Sequence, residues 1–214
     1  MSTALVLASS SIYRKKLMEK LNLPFVSASP NIHEARWPSE SPDSLVRRLS
    51  EEKARALSKT YCKHLIIGSD QVAILNTTPF DPMNFFETNA NAIDSASETL
   101  CKPENHEQAL EQLKLQSGKR VTFLTSVSVL NTAIDEIETD VITTDVVFRR
   151  LDEKEINNYL YRDLPYDCTG SFKVENSGIT LLDAIYSCDP TALIGLPLIR
   201  LRKMLDKYKL NKIN

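Results

Sequence analysis

The sequence predicts an α/β fold in a single domain, and three features point that way. Apolar runs with β-branched members (ALVLA at 4–8, LII and VAIL around Gly68-Ser69-Asp70, VTFLTSVSVL at 121–130) read as strands. Between them lie segments with apolar residues at helical spacing, as at Leu17, Met18 and Leu21 or at Leu45, Val46 and Leu49. With 214 residues the chain can build one substantial core, either a single α/β domain or one domain with a lobe. No internal repeat and no separating linker is visible.

Composition narrows the partners. Hydrophobic residues at 42% and charged residues at 25% are ordinary for a soluble globular chain. A formal charge of −2 and a pI near 6.0 give no global basic field for nucleic acid or acidic membranes, so any anion must be held by a local cluster. Cys62, Cys101, Cys168 and Cys188 form no CxxC pair and have no histidine cluster beside them, which argues against zinc and against a disulfide framework. Reduced thiols in a cytoplasm are expected. The apolar start is too short to span a membrane and has no basic stretch ahead of it, and no other segment approaches that length.

In chain order, the strand at 4–8 stops at three serines, Ser9 to Ser11, and a helix follows from Tyr13 with a basic face that includes Arg14, Lys15 and Lys16. Cations in a first helical turn oppose the dipole by a few tenths of a kcal/mol unless an anion sits among them, so this junction is either a serine-capped helix with a solvated face or an anion site. FVSAS, between Pro24 and Pro30, reads as a second strand, of a βαβ-like or a hairpin unit. A loop with His33 and Glu34 leads to a helix from about Pro42 to Lys59, in which Lys53 has the setting of a solvated lysine. Asp70 then lies between two apolar segments, where burying an unpaired carboxylate costs several kcal/mol. A metal, a cation or backbone donors must compensate it, unless Gly-Ser-Asp is a turn between two strands, which on this stretch alone is the commoner chemistry.

From Asn76 to Leu100 the texture is Asn/Ser/Thr-rich and shows no period, predicting a mobile insertion. A helix over about 105–116 opens on an Asn105/Gln108 capping box and has Gly118 past its end. The strand at 121–130 and a β-rich segment at 137–148 flank a turn. A helix from Asp152 and Glu155 to about Tyr161 follows, then a Gly-punctuated stretch and a last helix over about 197–207. Neither a Walker A loop nor GxGxxG can be drawn from five glycines, and no Ser-His-Asp order is compelling.

Five motifs in order, LASSSIYRK at the start, His33-Glu34, EEKA around Lys53, GSDQV around Asp70 and Lys102-Pro103, resemble the Maf family of nucleoside triphosphate pyrophosphatases. The likeness covers the chain except 76–100. GSFKVENSGITL and DPTALIGLPL are similar to the Maf subgroup that hydrolyses 7-methylguanosine triphosphate. Ile12 stands where the family usually has proline, His33 where it has aspartate, and Cys101 where it has glycine.

The resemblance implies a mixed, curved central sheet flanked by helices, and cleavage of 7-methyl-GTP to 7-methyl-GMP and pyrophosphate with Mg²⁺ or Mn²⁺. It implies Asp70 as base or metal ligand and Glu34 as second metal ligand. Ser9, Arg14, Lys53 and Lys102 would hold the phosphates. Tyr13, Glu175 and Gln71 would read the base, because N7-methylated guanine is a cation that favours an aromatic face and a carboxylate. A homodimer is expected by analogy. The alternatives are a dTTP/UTP pyrophosphatase of the other Maf subgroup and a non-enzymatic nucleotide-binding regulator of septum formation.

Overall fold

Seven strands pair into one mixed sheet in the computed structural model, which describes residues 4–76, 98–208 and 210. They are β1 (Leu5–Ala8), β2 (Phe25–Ala28), β3 (Leu65–Leu75), β4 (Glu98–Leu100), β5 (Arg120–Asn131), β6 (Glu136–Phe148) and β7 (Leu182–Ser187), in the order β2-β1-β3-β5-β6-β7 with β4 on β3. β1 runs parallel to both β2 and β3, whereas β3–β4 and β6–β7 are antiparallel. Five helices join them among the described residues: α1 (Ile12–Glu19), α2 (Pro42–Ala56), α3 (His106–Gln116), α4 (Glu153–Asp163) and α5 (Leu198–Asp206). The α/β prediction holds, and the parallel β1–β2 pair makes the first unit a βαβ crossover rather than a hairpin.

The residues group into two compact units. The first comprises Met1–Gln71, Thr125–Ile142 and Asp189–Asn214. Its core packs Leu5 and Leu7 of β1, Leu17 and Met18 of α1, Leu65 and Ile67 of β3, and Leu201 and Leu205 of α5. The second unit comprises Val72–Leu124 and Thr143–Cys188. There Phe172 packs edge-on against Phe148, at 5.3 Å between ring centroids. In the same unit Asn76, Thr122 and Asp145 form a buried polar chain. Asn76 Nδ2 donates to Thr122 Oγ1 at 2.8 Å, and the Thr122 hydroxyl donates to Asp145. Burial pushes the Asp145 carboxyl up, against the pull of Thr122 and Arg120.

Several sequence expectations need correction. Gly68-Ser69-Asp70 is not a turn, since β3 runs unbroken from Leu65 to Leu75. The helix expected to reach Lys59 ends at Ala56, where the Leu57 N–H bonds back to Ala54 and Arg55. The interior of the expected insertion, 77–97, lies outside the described residues, but its edges are structured: Glu98–Leu100 pairs with β3, and Asn76 is buried. The Asn105 cap accepts from the Gln108 N–H at 2.9 Å, while the Gln108 side chain turns to the Glu104 N–H instead of closing the box. β7 was not foreseen, because LDAIYS falls among glycines and short 3-10 turns that mask its alternation.

Gly68 explains how α2 meets β3. A Cβ placed there would lie 1.9 Å from the Ser50 carbonyl oxygen and 3.1 Å from the Ala54 amide nitrogen, both α2 backbone. Only glycine lets strand and helix approach this closely. Gly68→Ala should therefore force backbone movement and destabilise the fold by about 1–3 kcal/mol, the usual cost of overpacking a close-packed site. Denaturant titration checks this, and an unchanged midpoint would mean that α2 has room to shift.

Candidate active site

Alternation along β3 sends Gly68 and Asp70 to one face and Ser69 and Gln71 to the other. On the first face, the approach permitted by Gly68 brings α2 down so that Lys53 reaches the strand. Lys53 Nζ sits 2.6 Å from Asp70 Oδ1 and 2.9 Å from Glu34 Oε1. The Lys53 and Asp70 side chains are 6% and 11% exposed, whereas Glu34 is 54% exposed, so the pair is buried and Glu34 joins it from the solvent side. The lysine that the sequence setting marked as solvated is thus a buried ion-pair partner. Ser126 ties this assembly together. Its hydroxyl donates to the Val46 carbonyl of α2 at 2.6 Å and accepts the Asp70 N–H at 3.2 Å.

On the other face lies the segment after β7. Asp189, 1% exposed, is its anchor. Its Oδ1 accepts the Thr191 N–H and hydroxyl, and its Oδ2 accepts the Ile199 and Arg200 N–H groups at 2.7 and 3.1 Å. Two otherwise unpaired donors in the first turn of α5 are satisfied from nine residues before its first residue, Leu198. The loop so fixed turns its carbonyls toward β3. Gln71 Nε2 donates to the Ala192 and Leu193 carbonyls, and Ser69 Oγ lies 2.8 Å from the Gly195 oxygen. Gly195 adopts φ +118°, a conformation that disfavours any side chain.

The same Gly195 carbonyl accepts Arg14 Nε at 2.8 Å, which aims the guanidinium. Burial pulls the Arg14 pKa down, and the charges of Asp70 and Glu34 oppose that pull, so Arg14 lies within electrostatic reach of both carboxylates. An arginine stays cationic through such a shift. Arg14 belongs to the first turns of α1, whose N-terminus is capped by Ser11 and held by Ser9 Oγ, which accepts the Ser11 N–H at 3.1 Å. Tyr13, half-buried, adjoins it.

Arg14, Glu34, Lys53 and Asp70 therefore converge, with Ser9 and Tyr13 on the adjoining turn. The geometry gives Gln71 a further task, since its NH₂ is engaged by the 192–193 carbonyls. Lys102 and Glu175 belong to the second unit. Lys102 is exposed. Glu175 is exposed as a residue, yet desolvation around its carboxyl raises the pKa, with Asp167 and Asp163 adding to the rise and Lys173 opposing it. Lys173 is buried among Asp167 and the carbonyls of Asp163 and Leu164. Sequence reading missed Ser126 altogether, and it noted Asp189 and Gly195 only as members of the DPTALIGLPL motif, without their roles.

Among the described residues no three His, Cys, Asp or Glu side chains cluster as a ready metal cage, and all four cysteines are free thiols. No helix among them is long and apolar enough to cross a membrane.

The profile of the Maf-like protein family matches residues 4–208. The chain belongs to the Maf family. Its Maf relatives include proteins named 7-methyl-GTP pyrophosphatase from Pseudomonas syringae pv. syringae (45% identical over 95% of this chain and 96% of that one) and from Pseudomonas aeruginosa (45%, 94% and 94%). A third, from Nitrosococcus oceani, bears the same name at 43% identity over 95% of this chain and 92% of its own. These Maf proteins match the chain nearly end to end, so both units described above fall within the shared length.

Because Lys53 and Asp70 are buried together, they should be energetically coupled. Lys53→Met should cost about 3–5 kcal/mol by leaving Asp70 buried without its closest partner, and Asp70→Asn in the same chain should restore much of it. Denaturant melts of both single variants and the double variant check this. Additive losses would show that the pair is not coupled.

Proposed function

We propose that this protein is a nucleoside triphosphate pyrophosphatase that converts 7-methyl-GTP to 7-methyl-GMP and pyrophosphate, clearing a modified nucleotide from the pool. The observation that carries the reading is the convergence of Arg14, Glu34, Lys53 and Asp70, distant in sequence, in a Maf chain whose relatives bear that enzyme's name. Hydrolysis between the α- and β-phosphates requires a positioned water and positive charge for the leaving pyrophosphate. Asp70 orients that water and takes its proton. Arg14, aimed by Gly195, and Lys53 meet the phosphate oxygens, with Ser9 and the α1 N-terminus beside them, and Lys102 keeps the phosphate-binding role that the family resemblance implies.

The donor set suits a hard divalent cation. Two carboxylates already share one cationic atom, Lys53 Nζ, and Mg²⁺ or Mn²⁺ bound by Asp70 and Glu34 could take further oxygens from phosphate and water. When bound, such an ion polarises the phosphoryl oxygens. In the first unit Tyr13 offers an aromatic face for the methylated base, and Gln71 acts by holding the 192–193 backbone in place. In the second unit Glu175 is the carboxylate to which the family resemblance gives a part in base recognition. Four free thiols suit a cytoplasmic setting.

Release of pyrophosphate from 7-methyl-GTP, GTP, UTP and dTTP, measured with Mg²⁺ or Mn²⁺, tests the reading. Preference for UTP or dTTP would move the protein to the other Maf subgroup, and binding without turnover would make it a regulator. Asp70→Asn should abolish release in a protein that still folds, though less stably because Lys53 keeps only Glu34 as its acid, since the amide can neither accept the proton nor bind a cation as an anion.

The role of Glu175 carries a pH signature. Its folded carboxyl titrates above the usual carboxylate value, so it is neutral below that raised pKa and charged above it. Selectivity for 7-methyl-GTP over GTP should rise with pH through this range. In Glu175→Gln the rise should vanish and the kcat/KM ratio fall several-fold, as expected for a partly exposed charge pair worth about 0.5–1 kcal/mol. A pH-independent ratio in the parent protein would remove Glu175 from base recognition.

A further inference from the structure

Glu34 reaches Lys53 from a loop of irregular backbone, residues 29–41, in which Asn31 and Ser39 adopt left-handed conformations. Such a segment does not place a half-exposed carboxylate by itself. The loop is fastened to α2 by Arg48, five residues before Lys53. The guanidinium forks onto Glu40, with Nε 2.6 Å from Oε1 and Nη2 2.8 Å from Oε2. Nη2 also donates to the Ala35 carbonyl at 3.1 Å, directly beside Glu34. Nη1 pairs with Glu52 at 3.2 Å, which fixes the guanidinium from the helix side. The indole of Trp37 lies against the cation, with Arg48 Cζ 4.1 Å from the ring centroid, while the Trp37 backbone N–H donates to Glu40 Oε2 at 3.1 Å.

We propose that Arg48 is a positioning residue for the reaction: through Glu40, Trp37 and the Ala35 carbonyl it sets the backbone that delivers Glu34 to Lys53 and Asp70. This rests on the pyrophosphatase reading for the purpose of the site, but the clamp itself is independent of it. One helix thus carries both the buried lysine and the residue that brings the outer carboxylate to it. The clamp is pre-organised. Arg48 and Glu40 side chains are 12% and 6% exposed, and a planar fork on a carboxylate loses little further freedom when it forms. Its partner stays ionised, because the hydrogen bonds and charge of Arg48 hold the Glu40 carboxyl down at about 2. The clamp therefore persists over the whole neutral range and opens only in strong acid, as Glu40 gains its proton. Lysine cannot substitute, since an ammonium makes neither the fork nor the flat contact with Trp37.

The chain holds one tryptophan, Trp37, so its emission reports on this loop alone. In Arg48→Ala, and more weakly in Glu40→Gln, the emission should shift and trypsin should cut after Arg36 faster than in the parent. Arg48→Lys should behave like the alanine variant rather than the parent. In the reaction, kcat/KM should fall about tenfold to a hundredfold, the scale of a group displaced by about 1 Å. The deciding measurement is a double-mutant cycle. Glu34→Gln should lower kcat/KM strongly in the parent and hardly at all in Arg48→Ala, because a misplaced carboxylate has little left to lose. Equal losses in both backgrounds would show that Arg48 acts only on general stability and would overturn the proposal. If the parent turns over no nucleotide, the pyrophosphatase reading fails on its own. The emission and trypsin measurements then decide the clamp, and unchanged values in both Arg48→Ala and Glu40→Gln would overturn it.

Discussion

A lysine ammonium buried between two carboxylates organises the first unit. Taking Lys53 and Asp70 out of water costs several kcal/mol per ion, and only close, well-directed pairing returns it. At 2.6 Å the pairing is close, and it is possible only because Gly68 removes the side chain that would hold α2 away from β3. The hydroxyl of Ser50 then meets Ser128 at 2.7 Å, and Ser126 bridges the Val46 carbonyl and the Asp70 amide. These small polar residues satisfy backbone groups that larger side chains would have pushed apart. A helix held so tightly can act as a ruler, since Arg48 and Lys53 are set at a fixed separation along it.

The alternation of β3 makes one strand answer to two neighbours. Asp70 turns to α2, while Ser69 and Gln71 turn to the loop between Asp189 and α5. A slip of one residue would send the carboxylate to the loop carbonyls and the amide to the lysine, leaving like dipoles and charges facing each other. Register, ion pair and loop are therefore mutually dependent. Arg14 extends the dependence to α1, because the carbonyl that orients it belongs to Gly195 of the same loop.

Much of this was legible in the residues, and the remainder was hidden for identifiable reasons. Strands β1, β3, β5 and β6 and all five helices are marked by apolar periodicity and caps, signals that depend only on near neighbours. The capping box of Asp152 and Glu155 formed as its spacing foretold. β7 and β4 were not visible, because short strands in polar or glycine-rich surroundings are specified by their partners, Thr144–Phe148 and Ala73–Leu75. The bare pattern of α2 marked Lys53 as solvated, since its burial is caused by a glycine fifteen residues later. The roles of Asp189 and Ser126 were similarly invisible, as both bond to backbone whose position is a tertiary fact. Arg48 drew no notice in the sequence, because its partners Glu40 and the Ala35 carbonyl are brought to it by the folded loop.

Charge balance at the site bears on how a polyphosphate could be held. Arg14 and Lys53 contribute two positive charges, and Glu34 and Asp70 cancel them, so these four groups present no net attraction to a triphosphate. Arg14 is nevertheless oriented by a neutral carbonyl, a contact that does not cancel its charge. Lys53, in contrast, is committed to both acids. A tetra-anionic substrate entering here would meet the two carboxylates as repulsion, at several kcal/mol per close contact in a partly buried site. On the proposed reading, Asp70 and Glu34 would hold a divalent cation that offsets this repulsion and supplies the charge for phosphate. The balance of two acids against two bases then fits a substrate that arrives together with its cation.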